Sequence, residues 1–424
     1  MTASKGRVLI ISNGHGEDQM GALLGRALQS RGYEVFSFPL VGEGLAYRSA
    51  GLTITGVQKT MPSGGFILDS GRALWRDIKA GLLRLTWQQA QALRRSRHQV
   101  DWAIGVGDIY PLLMNALFLR RPFILIPTAK SDYIRSHFAW ECALMRRCAR
   151  LVLPRDLRTA VGLAKRDVTV EYLGNLMMDA MTFTGEHWGL AGKQVVGLLP
   201  GSREPEAYNN TRLILECVAR INEEAAGAAQ EEGPAAEEEG SAVEPHFVLA
   251  LAGSLSPERL AAVVQADGWQ WQPSEGEEAA RGVKGRLCCQ NGAEVLVVSG
   301  RFGDVLALST VVIGMSGTGN EQAAGLGIPV VAPTGAGPQF TAAFAEDQHR
   351  LLGEALLIVR EGPAAVAAAV KTLLRDVERR RRMGDCGRER MGPPGAAERM
   401  AKRLDTLMQN RGPKEKAEKK WRIE

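Results

Sequence analysis

SGTGNEQAAGLGIPVV, Ser316 to Val331, links the apolar run VVIGM to a second apolar run, PVVAPTG. It reads as the end of one strand, a loop almost without side chains, a helix and a further strand. Gly317 and Gly319 allow a ligand close to the backbone, and Ser316 and Thr318 add hydroxyl donors. The first turn of the following helix has unsatisfied N–H groups, which suit a phosphate. A carboxylate one turn in, Glu321, is of a kind that bonds a ribose diol. The plain alternative is that the glycines only tighten a strand-to-helix turn.

The same grammar repeats on either side. LLPGSREPEA sets Gly201, Ser202 and Arg203 directly after an apolar run, and ALAGS does so with Gly253 and Ser254. Three such loops in one half of the chain favour a ligand over three unrelated turns. Strand-like runs at 7–12, 33–41, 102–107, 122–128 and 150–154 alternate with helical stretches such as GEDQMGALLGRALQSRG (16–32). A second series follows at 194–202, 246–253, 295–300, 311–317 and 329–335, with a helix over 211–224. Strands alternating with helices imply parallel sheets with right-handed crossovers. The expected fold is therefore α/β, with two Rossmann-like parallel-sheet domains facing each other across a cleft and a boundary near 176–193. The expected domains are 1–178, with a C-terminal helix at 395–410 packing back on it, and 190–390.

Length and composition agree. A chain of 424 residues needs two cores. At 45% hydrophobic and 23% charged it falls in the range of soluble globular proteins. Its six cysteines (Cys142, Cys148, Cys217, Cys288, Cys289 and Cys386) form no CxxC pair, so reduced thiols of a cytosolic protein are expected. MTASKGRVLIISNG enters a strand directly and does not read as a secretory signal; no apolar run reaches the ~18 residues of a membrane span. The acidic segment 223–245 is too poor in large apolar residues to order itself, and 267–285 and the charged tail 412–424 also read as irregular.

At these residues the chain resembles the nucleotide-sugar glycosyltransferases of the GT-B fold, and within them the lipid-A-disaccharide synthase family; the peptidoglycan N-acetylglucosamine transferases are more distant. YLGNLMMDAM (172–181), LLPGSREPE (198–206) and SGTGNEQAAGLGIPVV carry the likeness in the second half. GEDQMGALLGRAL (16–28) and DWAIGVGDIYP (101–111) carry it in the first. The resemblance implies inverting, metal-independent transfer of a sugar, N-acetylglucosamine-like and possibly acylated in that family, from a UDP donor to a lipid-linked acceptor. It implies no cofactor and no nucleic acid, and a cytoplasmic protein peripheral on the inner face of the plasma membrane.

The chain also departs from that pattern. SNGHGED replaces the family's Gly-Glu-containing first loop; Asp18 and Gly21 fall on its Asp and Gly, and His15 is additional. PTAKSDYIRSHFAW stands where the family has Ser-Pro-Ser and a Trp-rich segment, so the resemblance does not carry over that family's acyl-chain acceptor. Gln322 holds the place of the donor-loop Glu, with Glu321 one residue earlier; a one-residue step on a helix turns a side chain by about 100°, and the ribose ligand stays open between them. In FAEDQHRLLGEALLI (344–358), Asp347 and Gln348 match the acidic-Gln element that contacts sugar hydroxyls in related transferases.

Such a transfer requires a base for the acceptor hydroxyl and donors for the departing diphosphate. Asp108, which ends AIGVGD, is the base that the resemblance favours; His15 and Asp18 in the first loop are the other candidates. Helix capping is the structural alternative for Asp108, and a backbone-bonded loop residue for His15. Residues 72–158 hold 16 Lys/Arg against 6 Asp/Glu, and 71–97 reads as a basic helix with Trp75 and Trp87, able to lie on anionic lipid. Two other functions compete: an epimerase or hydrolase of UDP-sugars on the same fold, and a non-catalytic relative that binds nucleotide sugar.

Overall fold

The computed structural model describes residues 4–58, 82–231, 245–334 and 341–410. The chain divides into two compact units, one holding residues up to Ala180 together with those from Pro393, the other Met181–Gly392.

The first unit is built on six parallel strands: β1 (Arg7–Ser12), β2 (Glu34–Pro39), β3 (Thr53–Ile54), β4 (Trp102–Gly107), β5 (Phe123–Pro127) and β6 (Leu151–Val152). Their order is β3-β2-β1-β4-β5-β6, the Rossmann arrangement. β4 and β5 are buried along their whole length, because helices cover both faces of the sheet. Alternation along β1 divides its side chains between two cores: Val8 and Ile10 join Leu24, Tyr47 and Ile104, while Leu9 and Ile11 join Phe38, Leu93 and Phe123.

The helix Ala396–Gln409 completes the first of these cores. Met400, Leu404 and Met408 recur every fourth residue and form its buried stripe. Its start has no capping side chain of its own. Instead the Asp179 carboxylate accepts from the N–H groups of Gly395 and Ala397, and Arg403 forms a bidentate pair with Glu171. Asp179→Ala leaves two N–H donors at a helix terminus without their acceptor and is expected to cost about 2 kcal/mol, measurable by urea unfolding.

The second unit carries eight strands: β7 (Val195–Leu199), β8 (His246–Leu251), β9 (Trp269–Pro273), β10 (Val283–Cys289), β11 (Glu294–Ser299), β12 (Val311–Gly314), β13 (Val330–Pro333) and β14 (Leu356–Val359). They lie in the order β14-β13-β12-β7-β8-β11-β10-β9, and β10 alone runs against the others, antiparallel to both β11 and β9.

Two expectations from sequence need correction here. Residues 267–285 are not irregular: β9, a short helix Gly276–Ala280 and β10 form an edge hairpin. Trp269 pairs with Cys289 and Trp271 with Leu287 across it, and Arg286 grips Glu278 through its two terminal guanidinium nitrogens. Its Gly, Pro and Glu content conceals a cross-strand pattern that exists only once the partner strand is present. The helix expected at 211–224 runs over Glu206–Glu231, so the acidic segment begins as helix rather than as an unstructured insertion. The rest of that insertion, the tail 412–424 and most of the first half of the basic stretch 71–97 lie outside the described residues. Within 82–96 that stretch is helical, with Trp87 exposed.

Candidate functional site

An open parallel sheet binds ligands beyond the carboxyl ends of its strands, where the strand order reverses. In the second unit that point is between β7 and β12, because the chain moves from β7 to β8 on one side and later returns to β12 on the other. Both glycine loops singled out from the sequence end these two strands. Gly201 has φ +102°, and a Cβ there would lie 3.5 Å from the Met315 carbonyl, so the loops run side by side. The third loop joins them: Ser254 Oγ donates to the Ser202 carbonyl at 2.9 Å.

Ser316 is the N-cap of the helix Gly317–Leu326, its Oγ accepting from the Gly319 N–H at 3.2 Å. A Cβ on Gly319 would sit 2.8 Å from that oxygen, so glycine is needed for the cap to close. Asn320, fully buried, donates through Nδ2 to the Gly314 carbonyl and to Gln348 Oε1, each at 3.1 Å. Gln348 Nε2 in turn donates to the Gly317 carbonyl at 3.0 Å. Gln348 was expected to touch sugar hydroxyls; it is buried, and its amide is committed to bracing the loop. Asp347 is half-buried and pairs with Arg350. Glu321 and Gln322 are both buried, and Ser202, Arg203 and Thr318 are exposed beside the half-buried Gly201, Ser316 and Gly317. Gln348→Ala strips Asn320 and Gly317 of their partner, so it is expected to lower stability by about 2 kcal/mol in urea unfolding.

In the first unit the order reverses between β1 and β4; Asp108 lies on the loop that leaves β4, and His15 and Asp18 lie in the first turn of the helix that follows β1. The Asp108 N–H donates to Asn13 Oδ1 at 3.3 Å, joining the two loops. Asp108 Oδ1 accepts from the Tyr110 N–H at 2.7 Å. Burial raises Asp108 above the ordinary carboxylate value, against the opposing bonds from Tyr110 and Asn13; Glu141 pushes it the same way and Lys130 opposes. Gly107, at φ +134°, is obligatory, because a Cβ would meet Asn13 Oδ1 at 1.7 Å.

The other two candidates separate. Asp18 is only 2% exposed and accepts from Ser12 Oγ at 2.6 Å, while Ser12 accepts from Tyr47 OH at 2.8 Å. Burial pushes Asp18 up to about 7, the Ser12 bond opposing and the Glu17 charge adding to it. A carboxyl so enclosed holds the loop rather than meeting a substrate. His15 is exposed at the first position of the helix His15–Gln29, its ring against Gly42, where a Cβ would meet Cε1 at 2.5 Å.

Sequence reading passed over Glu17. Its carboxylate folds back over Gly14, where a Cβ would be 2.2 Å from Oε2, and its Cγ lies 3.4 Å from the Cβ position of Gly107. Thr128, after β5, donates to Glu17 Oε1 at 3.4 Å. Nothing in local sequence sets Glu17 apart from Asp18; only the turn of the helix sends one inward and the other over the loop. Lys130 also escaped notice. Its Nζ donates to both oxygens of Glu141 at 2.8 Å, and His137, also buried, adds its Nδ1 at 3.3 Å.

No family model matches the chain, and no curated protein matches it. Solved structures do. The chain is similar to MurG of Acinetobacter baumannii (13% identity, TM-score 0.51, covering 96% of this chain and 100% of that one). It is similar to the glycosyltransferase SnogD from Streptomyces nogalater (18% identity, TM-score 0.52, 96% and 100%). It is also similar to UDP-GlcNAc 2-epimerase from Methanocaldococcus jannaschii (11% identity, TM-score 0.53, 94% and 99%). At these identities the likeness shows the fold, which is of the GT-B type: α/β, with two Rossmann-like domains built on predominantly parallel sheets.

Proposed function

We propose that the chain is a glycosyltransferase that moves a sugar, N-acetylglucosamine-like, from a UDP donor to a lipid-linked acceptor in cell-envelope lipid synthesis. One observation carries the donor half of this reading: the three glycine and hydroxyl loops end adjacent strands at the β7/β12 reversal. Backbone N–H groups around Gly201, Ser202 and Gly317–Gly319, with Thr318 and Arg203, would bind the diphosphate and stabilise its charge as it departs. Glu321 or Gln322 would bond the ribose. Asp108 would take the proton of the attacking acceptor hydroxyl, and its raised pKa makes it the stronger base for that step. The lipid-linked acceptor rests on the resemblance of the sequence motifs.

One observation favours a second reading. Glu17, in the first turn of the helix after β1, and Asp108, on the loop after β4, bring two carboxylates to the β1/β4 reversal, and a pair of acid–base groups is what epimerisation or hydrolysis of the sugar requires. Acceptor dependence separates the two. UDP release from UDP-N-acetylglucosamine is measured with and without a lipid extract, with mass spectrometry of the products. Transfer predicts release that needs the extract and a product heavier by one sugar residue. Release without extract supports the second reading, and no turnover of any UDP-sugar would leave a binding protein.

A further inference from the structure

The loop after β7 carries Gly201, Ser202 and Arg203, and its own sequence does little to hold it. Glycine accepts many backbone conformations, and residues 202–205 are exposed, so burial does not pin the tip. An anion site made of backbone N–H groups needs those groups already aimed, because every freedom lost on binding subtracts from affinity. The rigidity has to come from outside the loop.

The helix Glu206–Glu231 and the loop after β8 supply it. Tyr208, in the first turn of that helix, is 2% exposed. Its OH donates to Glu204 Oε1 at 2.9 Å and accepts from the Ser256 N–H at 3.0 Å. Glu204 lies in the loop after β7, whereas Ser256 caps the helix Pro257–Gln265 beyond β8. One hydroxyl therefore spans the two loops, using its donor and an acceptor site. Arg259, from that second helix, pairs with the other oxygen of Glu204 and lies over the Tyr208 ring, 5.2 Å from the centroid. Ser254 Oγ on the Ser202 carbonyl and Asn210 Nδ2 on the Pro200 carbonyl, each at 2.9 Å, tie down the near side of the loop.

This network is poorly placed to stabilise the fold. The ion pair stands in solvent, Arg259 56% and Glu204 38% exposed, and such pairs contribute little. What the network fixes is the position of Glu204, the neighbour of Arg203.

We propose that Tyr208 is a positioning residue: through Glu204 it holds Ser202 and Arg203 in the arrangement that receives a nucleotide diphosphate, without touching the nucleotide. This rests on the donor half of the preceding reading and deepens it. It assigns a role to a buried side chain that lies outside the glycine and hydroxyl loops.

The test is calorimetric titration of UDP into the full-length chain and three variants. Tyr208→Phe removes the bridging hydroxyl and keeps the ring beneath Arg259; affinity should fall about tenfold. Glu204→Ala should give a similar loss. Glu204→Gln keeps an acceptor for Tyr208 and should lose no more than about threefold. Ala and Gln both lack the charge, so the gap between them reports the bond and not the repulsion between a carboxylate and the diphosphate. A residue that served the fold alone would lower the melting temperature and leave the affinity of the folded protein unchanged. Melting curves set a temperature at which each variant is folded, and the exposed Glu204 decides alone if Tyr208→Phe does not fold. The proposal is overturned if Tyr208→Phe and Glu204→Ala both bind UDP like the wild type. It is also overturned if Glu204→Gln loses as much as Glu204→Ala, since charge and not Tyr208 would then hold the loop. Absence of UDP binding by the wild type overturns this proposal and the donor reading together, whereas equal binding by all four proteins overturns this one alone.

Discussion

Asp108→Asn is expected to lower turnover by about 10²–10⁴-fold while leaving UDP affinity within about twofold, the signature of a lost general base. The substitution is chosen to separate chemistry from structure. Asp108 Oδ1 accepts from the Tyr110 N–H, and its own N–H is bound by Asn13; Asn keeps an oxygen for the first bond and leaves the second alone. Burial raises the carboxyl above its ordinary value, so the acid limb of the turnover profile should lie above pH 3.8, and it should vanish in the variant. His15→Ala is the matched control. Normal turnover in Asp108→Asn, together with loss in a folded His15→Ala, would transfer the role to the histidine. Glu17→Gln tests the neighbouring carboxylate in the same assay.

The second large effect concerns stability. Asp18 rises from 3.8 to about 7 chiefly through burial, so the fold favours its protonated form. The native state then binds the proton more tightly than the unfolded chain does. Stability from this group is complete below pH 3.8, declines as pH rises, and is lost above about 7. The difference corresponds to about 4 kcal/mol. Asp18→Asn keeps an oxygen for Ser12 and cannot ionise. Relative to the wild type it should therefore gain about 4 kcal/mol between pH 4 and pH 8 in urea unfolding. A variant-to-wild-type difference that does not change with pH would show that Asp18 titrates in the ordinary range.

The candidate residues of the two units were legible to different degrees. The loops at the β7/β12 reversal were readable because glycine and hydroxyl residues directly after apolar runs are local features, and strand alternation set where they lie in a parallel sheet. The brace beneath them was not readable: Asn320 and Gln348 are 28 positions apart, and Gln348 was assigned to sugar although it is buried against the loop. In the first unit, the place of Asp108 directly after β4 was readable from the apolar run before it. Asp18 and Glu17 are adjacent, and only the helix phase, set by packing of Met20, Leu24 and Leu28, decides which is buried. The edge strands were missed for a related reason. β9 and β10 take their pattern from each other, and β14 is four residues long.

Calorimetric titration of UDP into the full-length protein and into Gly319→Val bears most directly on the central claim that the β7/β12 reversal holds a nucleotide diphosphate. A side chain at 319 occupies the space beside Ser316 Oγ and blocks approach to the loop backbone. UDP should bind the wild type, and affinity should fall by about 30-fold or more in the variant, which loses the Ser316 cap and is compared at a temperature where its unfolding curve shows it folded. Equal UDP affinity in the two folded proteins, or no UDP binding by the wild type, would contradict it.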